Sequence, residues 1–133
     1  MASILKVDEL QGITAAGDIT VTSEGGAATQ SLQQGLAKSW AILDGTGTIS
    51  LDDSLNVASV ADSGTGDYDF THSSAFSSSN YCTTTAKNNA SSNQGANLTL
   101  TNRSTTVRGV KSYENNSATD CSQVCFQTSG DLA

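Results

Sequence analysis

Short stretches of this chain alternate hydrophobic and polar residues with a period of two, which is the pattern of half-buried β-strands. Residues 67–72, 96–101 and 121–128 show the alternation most clearly. Turn sequences with Asp-Gly chemistry, such as Asp44-Gly45-Thr46-Gly47, separate the stretches. About seven such strands over residues 38–133 predict an all-β fold, an antiparallel, jelly-roll-like β-sandwich that we call the head.

The same alternation predicts which side chains face the core of the head. A phase slip between Val57 and Val60 indicates a β-bulge. Trp40 is expected to join the core as a large apolar side chain. The other side chains predicted to point inward are Tyr68, Phe70, Leu98, Leu100, Val124 and Phe126.

Residues 1–37 form a separate segment, which we call the arm. Residues 3–10 and 18–22 are each expected to form a short strand. Fixing the backbone of one residue costs about 1–2 kcal/mol, whereas fully burying one aliphatic side chain returns about 1.5–3 kcal/mol. The arm has too few such side chains to order itself, so we expect partner chains to order it. The attachment surface is predicted on Ile4, Leu5, Val7, Leu10, Ile19 and Val21.

Composition favours assembly of several copies. Only 36% of the 133 residues are hydrophobic and 5% are aromatic, so a single copy buries a small core and is marginally stable. The net charge is -7 and no cluster of Lys or Arg occurs, which argues against a nucleic-acid partner. No stretch has the length of a signal peptide core or a membrane span, so we expect synthesis in the cytoplasm, without export or membrane insertion.

Two kinds of metal site are weighed and set aside, and no cofactor is expected. The acidic turns offer oxygen ligands to Ca²⁺, but their spacing fits no EF-hand loop, and Asp in a hairpin turn commonly caps its own backbone. Zinc could use the three cysteines with His72, but residues four apart in a strand lie about 13 Å from each other. The side chains concerned are Asp52, Asp53, Asp62, Asp67, Asp69, Cys82, Cys121 and Cys125.

Neither a catalytic site nor a strong ligand site is evident. His72 lies beside a serine-rich stretch at residues 73–79, but no nucleophile-elbow sequence accompanies it. We therefore expect no enzymatic activity. Tyr113 with Asn115 and Asn116 is the best candidate for an exposed contact with glycans, since aromatic rings stack on sugars.

Two stretches resemble virion appendage proteins of tailed phages, fibre- or tail-associated proteins of which many come from aquatic, cyanophage-like viruses. The opening Ser3-Ile4-Leu5-Lys6-Val7-Asp8 is similar to their N-terminus, and the stronger resemblance covers residues 36–70. It is carried by Leu36-Ala37-Lys38-Ser39-Trp40, Asp44-Gly45-Thr46-Gly47-Thr48 and Asp52-Asp53-Ser54-Leu55-Asn56-Val57-Ala58-Ser59-Val60-Ala61-Asp62-Ser63-Gly64-Thr65-Gly66-Asp67-Tyr68-Asp69-Phe70.

The resemblance implies a structural protein of the virion, a homotrimeric fibre or knob that the arm attaches to other capsid, neck or tail proteins. Because the chain is short for a complete tail fibre, a capsid decoration or cement protein that staples capsid subunits is the alternative. A small carbohydrate-binding module or hydrolase is a third hypothesis from a different class.

Overall fold

The chain is all-β with antiparallel sheets, which confirms the predicted fold class at that level. Its contacts divide it into two compact units, Met1–Leu36 and Ala37–Ala133. The computed structural model describes residues 4–15, 19–23, 25–26, 28–88 and 97–133.

The described residues of the first unit form a small hairpin and a helical turn. Strand β1 (Thr20–Thr22) pairs with β2 (Thr29–Ser31), and the helical turn α1 (Leu32–Gly35) follows directly. The strand expected over residues 3–10 is wrong for residues 4–10, which form neither strand nor helix. A strand is stable only where a neighbour pairs its backbone groups, and no such neighbour stands beside these residues among those described. Of residues 18–22, Asp18 lies outside the described residues.

The described residues of the second unit form two sheets. We call the first the Trp40 sheet, after Trp40 on its strand β3. Its strand order is β4-β3-β11-β7 and every neighbouring pair is antiparallel. A register shift between Ile42 and Leu43 marks a bulge in the β3–β4 pair. The strands are β3 (Ser39–Asp44), β4 (Ser50–Leu55), β7 (Cys82–Asn88) and β11 (Gln123–Ser129).

The other sheet, the Tyr68 sheet, has the order β10-β9-β6-β5, with β8 also pairing with β9. Its register shifts between Val57 and Ser59, so the bulge predicted in this stretch is confirmed. The strands are β5 (Val57–Gly64), β6 (Asp67–His72), β8 (Asn97–Arg103), β9 (Val107–Glu114) and β10 (Ser117–Ala118).

The two sheets share one hydrophobic core. The rings of Phe70, on the Tyr68 sheet, and Phe126, on the Trp40 sheet, meet edge to face with centroids 4.7 Å apart, a favourable geometry for aromatic pairs. The buried core residues are Ala41, Leu43, Tyr68, Phe70, Val110, Cys121, Val124 and Phe126. Burial of Tyr68, Phe70, Val124 and Phe126 confirms four of the predicted inward positions.

Two predictions about the core are wrong. Leu100 is 41% exposed, because β8 pairs on one side only, with β9, and its register shifts after that residue. Leu98 on the same strand does pack against the core. Trp40 lies on the opposite face of its sheet from the core, because the buried positions of β3 are Ser39, Ala41 and Leu43.

One turn of the head depends on a buried hydroxyl group, and another on a glycine that packs closely against the backbone. The hydroxyl of Tyr68 donates to the carbonyl oxygen of Gly45 at 3.1 Å and accepts from the amide of Cys121 at 3.4 Å. Gly66 has a φ of 66°, and a Cβ atom there would lie 2.6 Å from the carbonyl oxygen of Thr119. A residue with a side chain would therefore be strained at position 66 and would also clash with the backbone.

Candidate functional site

The predicted attachment residues of the arm expose apolar surface. The side chains of Ile4 and Leu5 are 78% and 77% exposed, and that of Val7 is 55% exposed. Leu10 and Val21 are also exposed, whereas Ile19 is half-buried. Large exposed apolar side chains that lie close together are a common feature of interaction surfaces.

A second apolar surface lies on the outer face of the Trp40 sheet, and sequence reasoning missed it. A groove of about 440 Å³ opens there, which we call the Trp40 groove. Residues directly opposite each other on neighbouring strands share one face of a sheet. Ile42 is opposite Cys125, which is opposite Ala86, so these three side chains form one row across the groove.

A second row lies beside the first. Trp40 is opposite Leu55 on β4 and opposite Gln127 on β11, and Gln127 is opposite Thr84 on β7. Trp40 is only partly buried and Leu55 is exposed. The outer face of this sheet is therefore apolar along β3, where a solvated sheet face would carry polar side chains.

Acidic side chains border the groove on the side of β4. Asp53 is exposed and lies opposite Ile42, and its Oδ1 accepts a hydrogen bond from the amide of Ser54 at 2.8 Å. Partial burial raises the pKa of the Cys125 thiol, and the negative charge of Asp52 raises it further. The groove thus combines an apolar floor with two carboxylates at one edge.

A buried polar cluster lies around His72, but not with the serines at residues 73–79. His72 Nδ1 lies 3.1 Å from the hydroxyl of Ser39, and both residues are buried. The ring of His72 also meets the rings of Phe76 and Tyr81 at centroid distances of 4.9 and 6.3 Å. Because Ser39 is 0% exposed, its hydroxyl cannot reach a substrate in this structure.

The same cluster contains a buried cation. The guanidinium carbon of Arg108 lies 5.7 Å from the centroid of the Tyr81 ring, and its Nε has no hydrogen-bond partner within the described part of the chain. Burial lowers the pKa of His72, the Arg108 charge lowers it further, and the backbone of Asn56 partly opposes both effects. The environment therefore favours a neutral imidazole.

The acidic turns use their carboxylates locally. Asp62 accepts from the amide of Gly64 at 3.0 Å, and Asp69 accepts from the hydroxyl of Ser63 at 3.0 Å. Asp67 forms an ion pair with Lys111 at 3.0 Å.

The cysteines are distributed over different environments. Cys82 is exposed, Cys121 is buried in the core and Cys125 borders the groove. Among the described residues, no group of three or more His, Cys, Asp or Glu side chains is placed to hold a metal ion.

The predicted glycan contact falls on a tight turn. Asn115 and Asn116 connect β9 to β10 and have φ values of 48° and 65°. Two successive positive φ angles in a two-residue hairpin loop define a type I′ turn, which favours asparagine. Both asparagines are exposed and Tyr113 is half-buried, so the turn is accessible, although its sequence is explained by backbone geometry alone.

Comparisons with protein-family models, curated proteins and solved structures give no significant match. Within the described residues, no helix has the length and apolar character needed to cross a membrane.

Proposed function

We propose that this chain is a non-enzymatic structural protein of a tailed-phage virion, a short homotrimeric fibre or knob attached to the particle through its arm. Its head would be a jelly-roll-like β-sandwich, and an exposed end of the head would contact the host surface. The virion assignment rests on the resemblance of residues 3–8 and 36–70.

The observation that carries the proposal is the exposure of apolar side chains on the arm. Ile4, Leu5 and Val7 remain mostly in contact with water in a single copy. Such a surface is unfavourable unless another chain covers it. A protein whose function is to assemble accounts for this surface, and assembly of identical copies also enlarges a small core.

The polar cluster of the head supports a structural role over catalysis. A hydrolase needs a nucleophile that reaches its substrate, and Ser39 beside His72 is fully enclosed. The pair instead joins β3 to β6, and so connects the two sheets.

Light scattering on the full chain provides the first test. We expect a mass three times 13.6 kDa, and a stable monomer at every concentration would contradict the proposal. Deletion of residues 1–30 should abolish attachment to particles while the head stays folded, as judged by circular dichroism. Decoration of particles by the truncated protein would show that the arm is not the attachment segment.

The exposed arm equally suits a capsid decoration protein that staples capsid subunits. Electron microscopy of particles labelled at the C-terminus of the chain separates the two functions. Label on the neck or tail supports the fibre or knob, whereas label spread over the shell supports the decoration protein.

A further inference from the structure

The Trp40 groove and the start of the arm are two apolar surfaces that complement each other. We propose that, in the homo-oligomer, residues 4–7 of one copy lie in the Trp40 groove of a second copy. The inference rests on the homo-oligomeric assembly proposed above and names the contact that holds it together. Leu10 and Val21, which are also exposed, are then the part of the arm that attaches to the particle.

The lining of the groove suits an apolar peptide. Trp40, Ile42, Ala86 and Cys125 supply apolar surface, and Gln127 is the largest polar side chain of the lining. A sugar would require several convergent polar groups to replace its bonds to water. Leu5 and Val7 require apolar surface instead; in an extended segment they share one face, and both are exposed.

The dimensions also agree. The groove reaches from β3 across β11 to β7, which is two strand spacings or about 10 Å. Four residues in extended conformation, from Ile4 to Val7, span about 10 Å between their first and last Cα atoms. The segment therefore fills the groove from one side to the other.

Charge favours this segment over the rest of the arm. Lys6 is the one basic residue among positions 1–37, and it lies between the exposed apolar side chains. Asp52 and Asp53 border the groove on the side of β4. Opposite charges at the rim of an apolar contact fix its register, so Lys6 is expected to lie at this edge of the groove.

Contact between the grooves of two copies is the competing arrangement. It would leave residues 4–7 exposed and would bring the Asp52 and Asp53 carboxylates of both copies to one interface. Exchange of arms avoids both problems. Each copy gives one segment and receives one, which is a heterologous contact that can close into a ring such as a trimer.

Charge reversal in the full-length protein tests the contact. Lys6→Glu and Asp53→Lys should each raise the dissociation constant of the homo-oligomer about tenfold or more, because each places like charges together. The double variant restores an opposite pair and should return the constant to near the wild-type value. Analytical ultracentrifugation over a dilution series measures all three.

Matched variants control for net charge. Arg103→Glu on β8 makes the same charge change as Lys6→Glu. Asp62→Lys removes a carboxylate that accepts a hydrogen bond from a nearby backbone amide, as Asp53→Lys does. Both should leave the dissociation constant near that of the wild type. As a second readout, assembly should slow alkylation of Cys125 but not of exposed Cys82.

The outcomes separate this inference from the proposed function. Suppose that the wild type assembles, but the charge reversals have the same dissociation constants as their controls or the double variant does not recover the wild-type constant. The arm then does not occupy the groove, whereas the proposed homo-oligomer remains supported. If the wild type remains a monomer at every concentration, both the contact and the homo-oligomer are wrong.

Discussion

Replacement of Tyr68 by Phe removes one hydroxyl group from the centre of the head. Tyr68 is 0% exposed, and burial is the main cause that raises its pKa to about 12. Its hydroxyl joins the Gly45 carbonyl at 3.1 Å to the Cys121 amide at 3.4 Å. The same hydroxyl is also placed to donate to Asp120 Oδ1 at 3.3 Å. The substitution leaves the ring in place, so the loss is confined to the polar contacts of this hydroxyl.

The expected loss of stability is about 2 kcal/mol. A neutral buried hydrogen bond contributes about 1 kcal/mol, and a buried amide that loses its acceptor costs about 1–3 kcal/mol. The bond from the Cys121 amide is long at 3.4 Å, so the lower end of that range applies. The two contributions together give the expected value.

Urea unfolding, monitored by the fluorescence of the single tryptophan, Trp40, measures the change in the free energy of unfolding at one fixed protein concentration. The midpoint should fall while the m-value stays constant. Tyr113→Phe is the matched control, because the Tyr113 hydroxyl makes no hydrogen bond within the described residues and should change stability by less than about 0.5 kcal/mol. Equal effects of the two substitutions would refute the assigned role of Tyr68.

Two further predictions concern the His72 cluster and the glycine turns. Burial lowers the pKa of folded His72 below its ordinary value of 6.5, so as pH falls below about 6.5 the unfolded chain binds the proton more readily. The free energy of unfolding should therefore decrease towards acid pH. Urea titrations at several pH values should show that His72→Gln reduces the dependence of this free energy on pH, and an unchanged dependence would contradict the interpretation. Gly66→Ala should lower the free energy of unfolding by at least about 2 kcal/mol more than Gly47→Ala, since both glycines have positive φ but only Gly66 lacks room for a Cβ atom. Similar midpoints of the two variants in thermal unfolding would refute this.

The core of the head could be predicted from the sequence because local alternation determines it. Tyr68 and Phe70 stand two apart on one strand, as do Val124 and Phe126 on another, and all four are buried. The position of Trp40 shows the limit of this reasoning. Trp40 is expected in the core, but Ser39, Ala41 and Leu43 alternate with it and are the buried residues of its strand. The small Ser39 occupies an inward position next to His72.

The Trp40 groove and the Ser39–His72 pair could not be predicted because both depend on long-range pairing. Ser39 and His72 are 33 residues apart, and the groove joins β3, β7 and β11 through the register of two strand pairs. Alternation assigns a face to each residue within its own strand, but it does not identify which strands become neighbours. The strand expected at residues 3–10 is not formed at residues 4–10 for the related reason that alternation supplies no pairing partner.

Amide hydrogen exchange of residues 4–15, measured by mass spectrometry at several protein concentrations, tests most directly whether another chain must cover the arm. In dilute solution, where single copies dominate, we expect these amides to exchange without protection while the strands of the head remain protected. At concentrations where the oligomer forms, amides around Ile4 to Val7 should become protected. Strong protection of the arm in a solitary, folded copy would contradict the central claim.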